Sequence, residues 1–533
     1  MVWYRAGLPI ERRRTLDPSS GATADSRHDP IVPIPGVLQK KLRSWLSADR
    51  SVCPIMTSMA RLLRYPVLAG EALLLVWLTA TEGLAPIGFL ALGLLGAVSL
   101  TTLALIGWPF GALLLLTASS AMPRVAETVM GLHLRPEHLS IGVVALVIAG
   151  RALKERRAPR FDLRNFDRFL LAYVGLNFLT SALTSPEPHL TLRWATLNAL
   201  VISPYFLLRL LITDESRLQR AFDILLSVGA AESAYGILCF LSSQVWHTSF
   251  GVEVEQYGPI PGVYGTQYEA NLFGSYTACC AIMFLACFML SGTKSRRSLY
   301  GFGFAVTLLG TIISLARSAF LAFPVAMFFV FWVALRKGQL QPRKLLAMAL
   351  GVVLVLLIAS PFVLSFVRER FSTIDPAELA SDSTTLTRIV QIAAAVQDVQ
   401  AHPILGTGTA SFQLFFDWND YIPGMRGEND DPGGWVSSTP VRILHDTGVV
   451  GLVVFLGFLG SLAAAVYKAG HIAGPQTKLV LIALSAGLVL YAITFQATEA
   501  TILAFTWVHL GVLAAAVALV QSSRPMPEAI TGP

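Results

Sequence analysis

Apolar runs of about 20 residues recur along most of this chain, each long enough to cross a bilayer as a helix. They fall at 66–82, 85–105, 108–122, 138–152, 166–184, 191–212, 219–243, 269–291, 299–315, 318–335, 345–366, 442–467, 477–497 and 500–521. Only 14% of the residues are charged, against about 25% in a soluble domain. The runs are continuous rather than alternating, which argues against a spanning β-barrel. Backbone groups in lipid must be satisfied within the segment, so the expected fold is an all-α polytopic membrane protein. It should have about 12–14 transmembrane helices and one large, partly helical extracytoplasmic loop. Two of the runs before 122 are open to a re-entrant reading.

Composition then divides the chain. Residues 1–64 form a polar, Arg-rich cytoplasmic tail, expected to be largely disordered. Within it Leu38, Leu42, Trp45 and Leu46 share one helical face beside Lys40, Lys41 and Arg43. That pattern suits either a short helix lying on anionic lipid or a solvated basic tail. No secretory signal peptide is visible, so the first run is expected to stay as an anchor. Residues 65–366 are the N-terminal membrane bundle, 367–441 the large outer loop, 442–521 the C-terminal membrane helices and 522–533 a second cytoplasmic tail.

Orientation follows from Lys and Arg. Residues 151–168 carry Arg151, Lys154, Arg156, Arg157, Arg160, Arg164 and Arg168; the turns 292–298 and 336–344 are also basic. If every run crosses once, these turns share a side, which the positive-inside rule makes cytoplasmic. Both termini then face the cytoplasm, and 185–190, 244–268, Arg317 and 367–441 face outward. The net charge of +7 is explained by the retained basic turns and requires no nucleic-acid partner.

The outward-facing polar residues are the candidates for chemistry. Arg317 sits between two apolar runs, against the positive-inside trend. It either holds an anion such as a diphosphate, through bidentate and permanently charged donors, or snorkels to headgroups. Arg388 opens an expected loop helix over 385–400, whose Ile389, Ile392, Val396 and Val399 recur at helical spacing. A cation in a first helical turn is unfavourable for the helix dipole, a small cost that hints at another role. His402 before Pro403 is either a base or the terminator of this helix, and the second reading is favoured. Gly406 and Gly408 permit a tight turn and close approach of a ligand or of backbone. Trp418, in an aromatic cluster, suits either sugar stacking or the bilayer interface. Glu269 and Asn271 stand where a run begins and are expected to line a cavity, with capping as the competing use of Asn271.

Other chemistries lack support. None of the five cysteines falls in the outer loop, so a disulfide framework or thiolate metal site there is excluded. Walker A, HExxH and GxSxG patterns are missing from the sequence. No metal and no cofactor is expected.

Five features, in order, resemble the O-antigen ligase and polymerase superfamily, over roughly residues 190–470. They are Arg193-Trp194 before a membrane run; Tyr268-Glu269-Ala270-Asn271; Ser314-Leu315-Ala316-Arg317-Ser318; Arg388 followed by His402-Pro403-Ile404-Leu405-Gly406-Thr407-Gly408 and Phe412; and Asp446-Thr447-Gly448-Val449-Val450-Gly451-Leu452. The resemblance implies metal-independent glycosyl transfer at the outer face of the bacterial cytoplasmic membrane. An undecaprenyl-diphosphate-linked glycan would be the donor and a glycan or lipid the acceptor, with Arg317 and Arg388 at the diphosphate. Arg193, Glu269, Asn271, Gly406, Gly408 and Trp418 would bind substrate. Family ligases carry His-Asn about eleven residues before the glycine matched by Gly448, where this chain has Ser437-Ser438. His445 is a catalytic candidate in its place, although it lies in the helix that re-enters the membrane.

Two other readings compete: a transporter or flippase for the same lipid, and a non-catalytic subunit of an assembly complex. A transporter should show repeated halves and broken midplane helices; the single large outer loop fits a one-sided active site better. The topology is testable in a chain stripped of its native cysteines. In intact cells a cysteine at Ser381 should react with an impermeant maleimide and one at Ala158 should not. The reverse pattern overturns the orientation.

Overall fold

The computed structural model describes residues 106–124, 127–129, 132–156, 161–253, 261–336, 383–416, 435–499 and 501–522, with Ser99 and Leu103. The runs expected at 66–82 and 345–366, most of 85–105, both tails and residues 417–434, including Trp418, lie outside the described residues.

The helices are Phe110–Ser120 (α1), Pro136–Glu155 (α2), Asn165–Leu183 (α3), Pro188–Leu211 (α4), Glu215–Trp246 (α5), Ala270–Leu290 (α6), Lys294–Ile313 (α7) and Arg317–Arg336 (α8). After the gap come Ser383–Ala401 (α9), Ser411–Phe415 (α10), Thr439–Ile472 (α11), Pro475–Thr494 (α12) and Ala504–Ser522 (α13). Two small antiparallel hairpins decorate this all-α fold: Glu127–Val129 (β1) with Leu132–Leu134 (β2), and Val252–Glu253 (β3) with Gly262–Val263 (β4). Among the described residues, α2, α4, α5, α6, α8, α11, α12 and α13 are long and apolar enough to cross a membrane. The run expected at 108–122 contains only the 11-residue α1. At ~1.5 Å per residue that is about 16 Å, short of the ~30 Å hydrocarbon core, and fits a re-entrant segment.

The bundle is built around α6. Burial covers 94% of its 18-residue membrane window, against 33% for α8 and 28% for α11. Small residues make this possible: a Cβ on Gly229 of α5 would lie 2.3 Å from Cys280 Sγ, and one on Gly303 of α7 would lie 2.3 Å from Phe284. Small interface residues let backbones approach where lipid supplies no hydrophobic drive. Thr277 and Thr311 hydrogen-bond across the α6–α7 seam at 3.2 Å. The outer helices turn large apolar side chains outward, among them Leu183, Leu238, Trp246, Phe302, Phe328 and Val453, as lipid-facing surfaces require.

Interhelical contacts define two poles. At one, Thr266 Oγ1 donates to Ala121 O (2.6 Å), Arg135 Nη2 to Ile502 O (3.0 Å) and Thr439 N to Phe495 O (2.9 Å). At the other, Thr477 donates to Glu215, and Asp167 gathers Arg209 and the Tyr205 hydroxyl (2.8 Å). Segments expected to face outward meet at the first pole, and the basic segment 151–168 reaches the second through Asp167. The Asp167 and Arg209 side chains are 0% and 5% exposed, so removing either partner strands a buried charge. Asp167→Ala should cost about 3–5 kcal/mol, read as a lowered midpoint of thermal unfolding in detergent, whereas Asp162→Ala at the surface should change little.

Candidate active site

The site is assembled where α11 breaks. Gly448 has φ 65° and ψ −171°, far from helical values. The break deprives carbonyls before it and N–H groups after it of helical partners. The loop after α9 supplies them: Thr407 N donates to His445 O (2.9 Å) and Gly408 N to Asp446 O (3.0 Å). In return Val449 N donates to Pro403 O (2.9 Å) and Val450 N to Ile404 O (3.3 Å). The two strands of chain run so close that side chains are excluded. A Cβ on Gly406 would lie 2.4 Å from His445 O, and one on Gly448 would lie 2.1 Å from Ile404 O. At Gly406 the close approach open in the sequence is therefore to backbone. At Gly408 a Cβ would lie 3.1 Å from Ser185 Cβ on the connection between α3 and α4.

A buried ionic network fixes the same junction. Arg442 reaches Glu499 at 2.9 Å and Asp446 at 3.3 Å, and Asp446 Oδ2 also accepts from Ala410 N at 3.1 Å. His445 Nδ1 and Nε2 each lie 3.2 Å from a carboxylate oxygen, of Asp446 and Asp398 respectively. The imidazole packs edge-on against Phe412 and is 1% exposed. Both ring nitrogens are thus engaged inside the protein, a geometry suited to holding loop and helix together. His402, by contrast, is exposed, and its carbonyl accepts from Gly406 N at 3.0 Å, closing the turn that ends α9.

The α9 helix starts two residues earlier than expected, at Ser383. Arg388 therefore lies in the second turn, beyond the strongest part of the dipole, and the expected dipole cost falls away. The packed face also differs. Ile389 is 50% and Val396 40% exposed, whereas Gln391, Ala394 and Ala395 are buried. Alanines allow the close approach that seats Phe412 and Phe416 against this helix, so size at the contact overrides the larger apolar stripe.

Arg388 Nη1 donates to Ala497 O at 3.1 Å. One turn along the same helix, Gln391 accepts from Ser437 Oγ at 2.6 Å. The family-base position thus sits beside the Arg388 face. Glu269 is the N-cap residue of α6, without a side-chain capping bond; Asn271 lies inside the helix and is not the cap. Burial pushes the Glu269 carboxyl above the usual carboxylate range, opposed by the nearby Arg388 guanidinium. Arg317 is half-buried at the first position of α8, just after Leu315 at φ 59°. A Cβ on Gly274, one turn into α6, would meet Ala316 Cβ at 2.4 Å, so α8 begins against the Glu269 end of α6. Arg193 is exposed on α4, and its neighbour Trp194 meets Trp435 edge-on at 5.7 Å.

Two arginines were not singled out in the sequence. Arg124 stacks 3.8 Å over Tyr264 and reaches Tyr268 O at 3.5 Å; Arg135 pairs with Glu137 at 2.8 Å. Both lie between the runs 108–122 and 138–152, on the outward side by the same charge rule that marked Arg317, so the signal was present.

A comparison with protein families matches residues 302–456 to the family described as O-antigen ligase. The match spans α8, the described part of the outer loop and the broken helix. No curated protein matches the chain.

Replacing Gly448 by Ala should unlace the junction. That backbone conformation, essentially restricted to glycine, alone costs about 1–3 kcal/mol, and the Ile404 carbonyl must also move. Limited proteolysis should then cut near 402–408 in Gly448→Ala under conditions that leave the parent intact.

Proposed function

We propose that this chain, which carries an O-antigen ligase domain over residues 302–456, transfers a glycan from an undecaprenyl-diphosphate carrier to a glycan or lipid acceptor. The family supports a ligase- or polymerase-like role in a membrane. The observation that carries the finer reading is the convergence of Arg388, the Arg317 helix start, Arg124 and Arg135 on one pole, around the mouth of α6. Guanidinium groups gathered at one end of a membrane bundle offer bidentate, permanently charged donors to an anionic ligand. We assign that pole to the outer face of the bacterial cytoplasmic membrane, with both tails inside.

Glycosyl transfer from a diphosphate forms a bond from the acceptor oxygen to the anomeric carbon and breaks the bond to the diphosphate oxygen. Negative charge grows on the departing diphosphate, and fixed guanidinium groups stabilise it without reorganising. Ser437 and Ser438, in place of the His-Asn of family ligases, favour the polymerase-like branch. The buried setting of His445 supports a positioning role for it rather than direct contact with an acceptor.

Lysine keeps the charge of arginine but loses its planar fork. Arg317→Lys and Arg388→Lys should each lower transfer about ten- to a hundredfold, the equivalent of roughly 1.5–3 kcal/mol in a charge-assisted bond. The measurement is turnover of purified protein on lipid-linked donor. His445→Ala should lower activity and thermal stability together. Full activity in both Arg317→Ala and Arg388→Ala would remove the diphosphate clamp.

A further inference from the structure

The packing of α9 leaves an apolar stripe outside the protein core. Its contacts fall on one side: Arg388 to Ala497 O, Gln391 to Ser437, Ala394 and Ala395 in the cluster of Phe412 and Phe416, and Asp398 to His445. At about 3.6 residues per turn these positions share a face. The opposite face carries Ile389, Ala393, Val396, Gln397 and Gln400, all exposed. Arg388 and Asp398 are the charged residues of α9, and both stand on the packed side. A helix bordering water turns its apolar stripe to the core and its charges outward. In α9 that order is inverted.

The outward stripe is also continuous with a lipid-facing surface. Val449, Val453 and Leu456 recur at helical spacing along the part of α11 that follows the break, and all three are exposed. At the head of that row, Val449 N donates to Pro403 O and Val450 N to Ile404 O. Ile404 is 66% exposed, and α9 ends at Ala401, immediately before this join. Apolar side chains therefore run without interruption from the membrane-crossing part of α11, through Ile404, onto the outward face of α9.

We propose that α9 is an interfacial helix. It lies along the bilayer surface at the pole of the site, with Ile389, Val396 and Ile404 among the phospholipids of the leaflet that α11 enters. Such a helix seats its apolar face about 5–10 Å into the boundary between headgroups and acyl chains. The break at Gly448 makes the placement possible, because the segment before it is no longer bound to the direction of the membrane-crossing part. The α9 helix runs beside that segment, Gln391 meeting Ser437 and Asp398 meeting His445. Gln397 and Gln400 add uncharged amides, which donate to headgroup phosphates. The inference is independent of glycosyl transfer and requires only the bilayer. It holds Arg388, on the packed side of the same helix, at headgroup depth.

The test uses the full-length protein in phospholipid nanodiscs, with Cys53 replaced by serine; Cys239, Cys279, Cys280 and Cys287 are buried. A bimane is attached at Ile389→Cys, Val396→Cys or Ile404→Cys, in variants that unfold at the parent temperature. Quenching by phospholipid brominated on its acyl chains is compared with quenching by aqueous iodide. Val453→Cys on the lipid face of α11 is the lipid reference, and Glu187→Cys, whose parent side chain is 51% exposed between α3 and α4, is the water reference. The three labels should lose fluorescence to brominated lipid as Val453→Cys does and resist iodide where Glu187→Cys does not. Ile389→Cys and Val396→Cys should respond equally to shallow and deep bromine positions, because a helix in the membrane plane keeps one depth. Iodide quenching of Ile389→Cys to the extent seen at Glu187→Cys overturns the proposal, since that face then stands in water. Unequal depths overturn it as well, because α9 is then upright. Shielding from both quenchers overturns it in favour of cover by protein, and crosslinking through Val396→Cys then tells a second copy from another part of the same chain.

Discussion

The break at Gly448 is the constraint on which the outer pole depends. A helix interrupted by one positive-φ glycine exposes backbone groups that lipid cannot satisfy. The loop 402–408 satisfies them, and its own shape is set by doing so. Everything attached to that loop inherits its position: α9 before it, with Arg388, and Phe412 after it. The ionic chain through Arg442, Asp446, Glu499, His445 and Asp398 then joins the break to the α12–α13 connection and back to α9. The arginines of the pole are held by backbone carbonyls of the α12–α13 connection and by a ring of the segment before α6. Pre-placed charge of this kind suits a reaction whose leaving group is an anion.

Much of the fold was legible because hydropathy and charge act locally. The runs 138–152, 166–184, 269–291, 318–335 and 477–497 each fall on a helix within a few residues. His402-Pro403 marks the end of α9 as a proline-following pair should. Less legible was what depends on contacts distant in sequence. The buried face of α9 is set by Phe412 and Phe416 fitting against alanines, which no stripe of larger residues reveals. Gly448 reads as an ordinary helical glycine until Ile404 is placed 2.1 Å from its missing Cβ. The carboxylates of Asp398 and Asp446 on the two nitrogens of His445 are likewise contacts that only the fold reveals. Arg124 and Arg135 were available to the same charge argument as Arg317 but stand beside turns and a small hairpin rather than between two long runs.

Ser437 and Glu269 stand on different elements at the Arg388 pole. Ser437 occupies the family-base position and is tied to Gln391, where it adds to the polar lining of the Arg388 face. Glu269 stands at the start of α6, whose membrane window is 94% buried.

The break also gives the bilayer a landmark. Unbroken, the 34 residues of α11 would span about 51 Å at ~1.5 Å per residue, far more than the ~30 Å of hydrocarbon. The part after Gly448, residues 449–472, spans about 36 Å, enough for a single crossing with modest tilt. A bilayer crossed by residues 449–472 would have its edge close to Gly448. Arg442, His445 and Asp446 would then lie on the headgroup side of that edge. With the lipid-linked donor proposed above, the same glycine that laces the loop would set the depth at which substrate and protein meet without either leaving its own phase.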